Sequence, residues 1–383
     1  MKITNVEPIV VSAGPGKRNY TFVVVDTDEG ISGVGESGLS SRELAVAGAV
    51  EHLKAFLLGK NPFQIERLWQ EMFRGGFFPA GNITTSAIAA IDIALWDIKG
   101  KALNVPIYEL FGGLARDKVV CYPHVQRGGS LEALVENAQQ HVAEGWKFVR
   151  WGLGDPLQDG NVFEPQRAVK EGIREFEALR KALGDEIELC FDLHTRVDQS
   201  LAIQFCRAVE QYRPFFVEDP IRAESMYSLR QVRQHTNVPL AVGEQFSSKW
   251  EFRSIIEEEL TDYARIDICI AGGLTEAKKI AGWCETHYIK LATHNPLGPV
   301  SSAACAQLNF AVNNVGVQEQ PTKPYVLLPD VVPVQMEWRD GYIYPPTRPG
   351  LGVEFDRELA KKSPYSPYEV PHLQRGDGSY TNW

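Results

Sequence analysis

Several things are scarce in this chain, and each scarcity removes a class of function. No apolar run among its 383 residues approaches the roughly 20 needed to cross a bilayer. The opening MKITNVEPIV lacks the apolar block of a secretory signal, so a cytoplasmic protein with no membrane partner is expected. Cysteine is sparse and unpatterned. The six, at 121, 190, 206, 269, 284 and 305, form no CxxC or other ligand spacing and sit mostly in apolar stretches, as reduced, buried thiols do. Positive charge is short as well: 39 Lys and Arg against 49 Asp and Glu leave a net charge of −10, which argues against a surface that tracks nucleic-acid phosphates. A disordered composition is missing too, since 44% of residues are hydrophobic. The length allows two folded units with substantial cores.

The first 117 residues read as an α+β unit. VEPIVVSA and YTFVVVDTDEGISGVGES alternate as antiparallel strands do, with a turn at Asp28-Glu29-Gly30. GPGKRN (14–19) is a glycine- and lysine-rich loop, a candidate mobile flap. Helical patterns cover 41–58, 63–74 and 84–103; Thr84 or Thr85 could cap the last, and Asn104-Val105-Pro106 stops it. FRGGFFPAGN, just before that helix, is a second glycine-rich loop.

From residue 118 to 330 short apolar runs alternate with helical stretches. KVVCYPHV, KFVRWGL, IELCFDLH, PFFVEDP, PLAVGEQ, YARIDICI, IKLATHNP and VGVQEQ are eight strand candidates. A polar residue stands near the end of each: His124, Arg150, Asp192, Glu218, Glu244, Asp267, His294 and Glu319. They are spaced by 26, 42, 26, 26, 23, 27 and 25 residues, close to the length of one strand, one helix and two loops. The one long gap holds GDPLQDGNVFEPQ, an inserted loop. Seven or eight βα units at this period indicate an α/β fold with a closed TIM-like (β/α) barrel, an open doubly wound sheet being the alternative. In such a barrel the strand ends gather at one face, so the eight polar residues form a ring. Residues 331–383, with a turn at Asp340-Gly341 and a proline-rich end, are too short for a domain and are expected to pack back on the N-terminal sheet or the barrel mouth.

The ring carries chemistry. Asp192, Glu218 and Glu244 end three successive strands, and bare carboxylates so placed repel one another. A hard divalent cation removes that cost, and an oxygen-only donor set favours Mg²⁺. Separate pairing of each acid with a lysine or arginine is the competing reading. Asp267 and His294 end the next two strands, where a carboxylate can fix the imidazole tautomer and leave the other nitrogen a better base. A buried histidine bonded to a backbone carbonyl is the alternative. His194 lies two residues past Asp192, on the same face by strand alternation, and could deliver a proton across the site. Glu319 could hold a substrate hydroxyl or carboxylate, or pair with a cation.

These residues resemble the enolase superfamily, mandelate racemase subgroup, over nearly the whole chain. IAAIDIALWDIKGKALNVPIYELFGG is similar to the superfamily's capping domain, and PPTRPGLGVEFD to the tail that returns to the cap. FDLH, FVEDP and GEQF resemble its three metal-ligand strand ends, and RIDICIAGGLTE with ATHNPLGP its Asp-His pair. The resemblance narrows to acid-sugar dehydratases of the D-galactonate dehydratase type, which share the histidine of FDLHTR, the Arg-Gly-Gly-Phe stretch and HxPLGP. It implies Mg²⁺ on Asp192, Glu218 and Glu244, a base at His294 oriented by Asp267, an acid at His194, and loss of water from a sugar acid to give a 2-keto-3-deoxy acid. Cycloisomerisation or epimerisation on the same fold, or a catalytically silent regulatory relative, are the rivals. Where many relatives carry Lys-x-Lys at the second strand, this chain has Arg150 and Gly152, so no base is expected on that side. Arg150, His124 and Glu319 are candidate substrate contacts from the barrel, with Tyr20, Phe78 and Asn82 from the cap loops, where surface or packing duty competes. The apolar cap would suit a homo-oligomer.

Overall fold

The computed structural model describes residues 1–383. The alternation near the N-terminus becomes a three-stranded antiparallel sheet of β1 (Ile3–Ser12), β2 (Asn19–Thr27) and β3 (Ser32–Ser37), in that order. Three helices follow, α1 (Glu43–Leu57), α2 (Ile65–Arg74) and α3 (Asn82–Leu103). Glycine spacing explains how closely β3 meets α3. A Cβ on Gly35 would stand 1.8 Å from the carbonyl oxygen of Ala90, and one on Gly33 2.0 Å from that of Ala94. Two residues of strand and four of helix both advance about 6–7 Å, so the two glycines match successive turns. The start of α3 differs from the sequence expectation. Gly81, not a threonine, occupies the cap position, and the Thr85 hydroxyl donates back to the carbonyls of Gly81 and Asn82. Its end is as expected: Asn104 turns left-handed at φ 55° and its N–H bonds the carbonyls of Gly100 and Lys101.

The second half is a ring of eight parallel strands: β4 (Val119–Tyr122), β5 (Phe148–Gly152), β6 (Glu188–Asp192), β7 (Phe216–Glu218), β8 (Leu240–Val242), β9 (Tyr263–Ala264), β10 (Lys290–Thr293) and β11 (Val315–Glu319). From β5 to β11 each pairs with the next, and β11 pairs back onto β4. A parallel bridge between His124 and Arg150 joins β4 to β5 and closes the barrel. Helices link successive strands from β4 through β11, but β11 runs into the tail with no helix of its own, the next being a single turn at Arg357–Ala360. The last βα unit is therefore a bare strand. In place of its helix the tail forms a hairpin, β12 (Glu337–Arg339) and β13 (Tyr342–Tyr344), antiparallel to the start of β4. Asp340 and Gly341 fill its two-residue turn with φ of 51° and 84°, the left-handed pair such a turn needs. Tyr122, Phe148, Cys190, Phe216, Ala241, Ala292 and Val317 pack together as an apolar layer, one residue from each of seven strands. All six cysteines are buried and unpaired. No helix is long and apolar enough to cross a membrane.

Buried polar contacts fasten the N-terminal elements to the barrel and the tail. Asp97 of α3 accepts from Val34 N at 3.1 Å and Leu351 N at 2.9 Å and pairs with Lys101 at 2.6 Å. Asp92 accepts from the backbone and hydroxyl of Thr275, at the start of the helix after β9. Val11 bridges Pro364, and Arg357 pairs with Glu7 and Asp26.

Two outcomes follow from these contacts. Gly35→Ala is expected to cost about 1–3 kcal/mol or more in urea unfolding, because backbone rather than a flexible side chain blocks the methyl. Burial pushes the Asp92 carboxyl up to about 7 from 3.8, and the Thr275 donors only partly offset it. The folded state then holds a proton the unfolded chain has lost, so this group's contribution to stability falls as pH rises from about 4 to about 7 and stays lost above. Asp92→Asn should flatten that slope relative to the parent; stability curves that run parallel between about pH 4 and pH 8 would show the coupling absent.

Candidate active site

The barrel register brings the ring residues together. Asp192 is the direct partner of Glu218 and Gly152, and Asp267 bridges His294 as His124 bridges Arg150. These pairings put the side chains at the C-terminal strand ends, around a cavity of about 970 Å³. His124, Arg150, Asp192, His194, Glu244, His294 and Glu319 line it from the barrel. Glu218 and Asp267 are fully buried behind that lining.

The acids are held by two arginines. Arg150 donates to Asp192 Oδ2 at 2.5 Å and lies 3.4 Å from Glu218 Oε1. Arg265, with no exposed surface, donates to Glu218 Oε1 and Glu319 Oε2, each at 2.7 Å, and stands 3.4 Å from Glu244 Oε2. It also donates to the Tyr122 hydroxyl at 2.5 Å and the Ala292 carbonyl at 3.1 Å. The sequence reading passed over Arg265, although its place two residues before Asp267 in YARIDICI puts both on one face of an extended segment.

The expected metal-binding trio is only partly assembled. The carboxylates closest to one another are Glu218, Asp219 and Glu244, with ligand atoms within 4.8 Å, while Asp192 faces Arg150 and His194. Asp219, next to Glu218 in FVEDP, reaches this cluster through a left-handed backbone at φ 37°, and its Oδ2 is buried without a partner. Burial, with the charges of Glu218 and Asp192, pushes Asp219 up to about 8. Burial also lifts Glu244 well above the usual carboxylate range, against the pull of His294 and with Asp219 and Glu218 adding to the rise. Burial works the same way on Asp192 and Glu319, but there Arg150 and His194, and Arg265, His294 and His124, outweigh it and hold both below that range. Crowded oxygen donors, one of them orphaned, fit a hard divalent cation such as Mg²⁺.

The imidazoles have different anchors. His294 Nδ1 donates to Asp267 Oδ2 at 2.7 Å, and Asp267 is itself fixed by Cys269 N at 2.8 Å. That leaves His294 Nε2 toward the cavity, 3.4 Å from Glu244 Oε2. Burial disfavours the imidazolium, yet Glu244, Glu319 and Asp267 overcome it and raise its pKa to about 9. His194 does meet Asp192, but not by strand alternation. The strand stops at Asp192, and His194 and Thr195 turn left-handed at φ 50° and 56°. The turn folds the His194 N–H onto Asp192 Oδ1 at 2.6 Å and its Nδ1 to Oδ2 at 3.0 Å. His124 donates from Nε2 to Glu319 Oε1 at 2.5 Å, and burial with the nearby Arg150 lowers its pKa.

From the cap, Asn82 reaches the cavity, but Tyr20 and Phe78 do not. Tyr20 is buried on β2 and borders a separate cavity of about 190 Å³ with Pro296 and Gln320. Phe78 is 81% exposed at its loop tip, edge-on to Phe77. Arg18 of the 14–19 loop lines the site instead, donating to Ser40 Oγ at 2.9 Å and the Pro296 carbonyl at 2.6 Å. Arg196 and Trp383 also line it.

Comparison with known proteins agrees with this architecture. Residues 2–112 match the mandelate racemase / muconate lactonizing enzyme N-terminal domain, and residues 133–359 match the enolase C-terminal domain-like family. A D-mannonate dehydratase of Caulobacter sp. (strain K31) is 35% identical, with all of both chains covered. A D-galactonate dehydratase of Ralstonia nicotianae is 38% identical over 95% of this chain and 96% of that one. Among solved structures, an enolase from Pantoea ananatis with bound D-gluconate and Mg superposes with a TM-score of 0.92 at 33% identity, covering 99% of each chain. With both its halves matched and relatives this similar along its full length, the chain belongs to the mandelate racemase / muconate lactonizing enzyme family of the enolase superfamily.

Proposed function

We propose that this protein is a Mg²⁺-dependent hydro-lyase that dehydrates a sugar acid to a 2-keto-3-deoxy acid. The observation that carries the reading is the pair of carboxylate-anchored imidazoles, His294 on Asp267 and His194 on Asp192, facing one cavity beside a bed of acids. The names of the dehydratase relatives support the substrate class. Asp192, Glu218 and Glu244, with the unpartnered Asp219 beside the last two, would hold Mg²⁺, which when bound would supply positive charge where the substrate carboxylate gains its second negative charge. His294 takes the proton α to that carboxylate at Nε2, since Asp267 occupies Nδ1. His194, its Nδ1 likewise held, gives a proton from Nε2 to the departing 3-hydroxyl. Water leaves, and the enol product tautomerises to the 2-keto acid. Arg150 and Asn82 contact the substrate, and Glu319 with His124 fixes a hydroxyl. Gly152 offers no group opposite His294, which favours elimination over two-base racemisation.

Residues 1–117 serve as the cap, 118–330 as the catalytic barrel and 331–383 as the segment that joins them. Six buried free thiols support a reducing, cytoplasmic compartment, and the exposed Phe77 and Phe78 support a homo-oligomer.

Incubation with a panel of aldonates should yield products lighter by one water, with EDTA abolishing turnover and Mg²⁺ restoring it. Products of unchanged mass would point to an isomerase instead. His294→Asn is expected to lower kcat by about 10²–10⁴-fold and to stop exchange of the α-proton in D₂O. His194→Asn should lose dehydration to a similar degree but keep that exchange, because only the second proton transfer is removed. Near-normal dehydration by His294→Asn would refute the assigned base.

A further inference from the structure

The segment 371–383 carries no helix or regular strand, yet it is held at both ends of its path. Gln374 gives its N–H to the Asn161 carbonyl at 2.9 Å and accepts from Phe163 N at 2.8 Å, on the loop after β5. Thr381 is buried and donates to the Leu373 carbonyl at 3.0 Å. Asn382 Nδ2 donates to the Thr195 carbonyl at 3.0 Å, and the Thr195 hydroxyl points back to the Trp383 carbonyl oxygen at 3.5 Å. These bonds deliver one side chain to the cavity. The Trp383 ring lies 4.4 Å from the Arg196 guanidinium carbon and meets the His194 ring edge-on at 5.7 Å. Arg196 is fixed in turn by the Leu153 carbonyl at 2.7 Å, while its buried Nε has no partner. About a third of Trp383, 36%, remains exposed.

We propose that Trp383 is a substrate-binding residue, its indole forming the wall against which the carbon chain of the sugar acid packs on the His194 side. The inference rests on the sugar-acid reading of this site. A polyol chain presents hydroxyl edges and C–H faces. Carboxylates, guanidiniums and imidazoles bond the edges, and an aromatic surface beside them covers the faces. Arg196 over the ring holds the indole in place and is worth most where water is excluded. The wall lies next to the histidine that protonates the 3-hydroxyl, so it sets how the substrate's central carbons approach that ring.

Calorimetric titration of D-gluconate and D-galactonate into the Mg²⁺-loaded protein, in a His294→Asn background that keeps bound acid from reacting, tests this. Trp383→Ala should weaken binding about tenfold or more, and Trp383→Phe should recover most of it. With His294 intact, KM should rise in step while kcat moves far less. Mg²⁺ affinity and melting temperature should not change. Equal acid affinity with and without the indole overturns the inference, as does a loss that merely tracks Mg²⁺ affinity or melting temperature. If Trp383 governs binding but no acid loses water, the dehydratase reading falls and the inference stands; if neither acid binds the protein bearing Trp383, the inference is overturned, and a parallel turnover assay decides the reading separately.

Discussion

Like charges forced together at the C-terminal end of the barrel are the constraint on which the rest of this structure turns. Asp192, Glu218, Asp219, Glu244, Asp267 and Glu319 all lie within the strand ends or just past them, and most are out of reach of bulk water. Their positions follow from strand register, so side chains cannot relax apart without slipping a whole strand. Compensation has to come from inside. Arg265 supplies it for Glu218, Glu319 and Glu244 at once, and a guanidinium suits the task because its planar fork reaches several carboxylates and cannot lose its charge. Arg150 does the same for Asp192 and Glu218 at the open side. At Asp219, which no arginine contacts, and at Glu244, which Arg265 meets only at 3.4 Å, the carboxyls shift upward instead, and that residual imbalance is what a divalent cation would relieve.

The same charge field separates the two catalytic candidates. His294 and His194 are the same residue type with the same kind of anchor, one ring nitrogen on one carboxylate. Depth makes them different. His294 sits among Asp267, Glu244 and Glu319, whose field favours its protonated form. His194 rides on a left-handed turn at the rim, its side chain about a third exposed, with Trp383 at its edge. A left-handed non-glycine backbone is costly, and two in a row persist here because the Asp192 carboxylate and the Asp219 carbonyl, which accepts from Thr195 N at 2.9 Å, fasten the turn from both sides. A deep ring and a rim ring on opposite anchors suit a proton removed at one carbon and a hydroxyl protonated at the next.

How much of this the sequence displayed depended on whether the signal was periodic. Strand ends recurring about every 26 residues marked the barrel and its ring, and Asp267 with His294 could be paired because neighbouring strands share a register. The missing helix after β11 broke no pattern that hydrophobicity records, since the tail supplies equally apolar contacts. Arg265 and Asp219 were hidden by company: each sits beside a residue with a plainer role, and neither burial nor backbone sign is written in residue type. Arg18 and Trp383 reach the cavity from segments 278 and 188 residues away from Pro296 and Thr195, which they touch, and no local rule records such meetings. Tyr20 and Phe78 lie outside this cavity for a related reason. Tyr20 adjoins the 14–19 loop but is buried on β2, and Phe78 stands exposed at its loop tip, outside the cavity lining.

The cap does more than close the cavity, and glycine again shows why. Gly38, just past β3, donates its N–H to the Cys269 carbonyl at 3.0 Å, and a Cβ there would come 2.9 Å from Asp267 Oδ1 and 2.6 Å from Ile270. The backbone of the cap therefore presses directly on the carboxylate that orients His294. Two residues earlier on the same strand, Glu36 accepts from Gly298 N at 2.6 Å and Ser301 N at 2.8 Å, at the start of the helix that follows His294. One strand of the cap thus touches both the partner of the proposed base and the helix just beyond it. The close packing of β3 on α3 through Gly33 and Gly35 sets that strand's height, so the seating of the cap and the aim of the imidazole are one mechanical property. Ser40 and Asn82, which line the cavity from the cap, are carried by the same unit and so keep their place relative to His294.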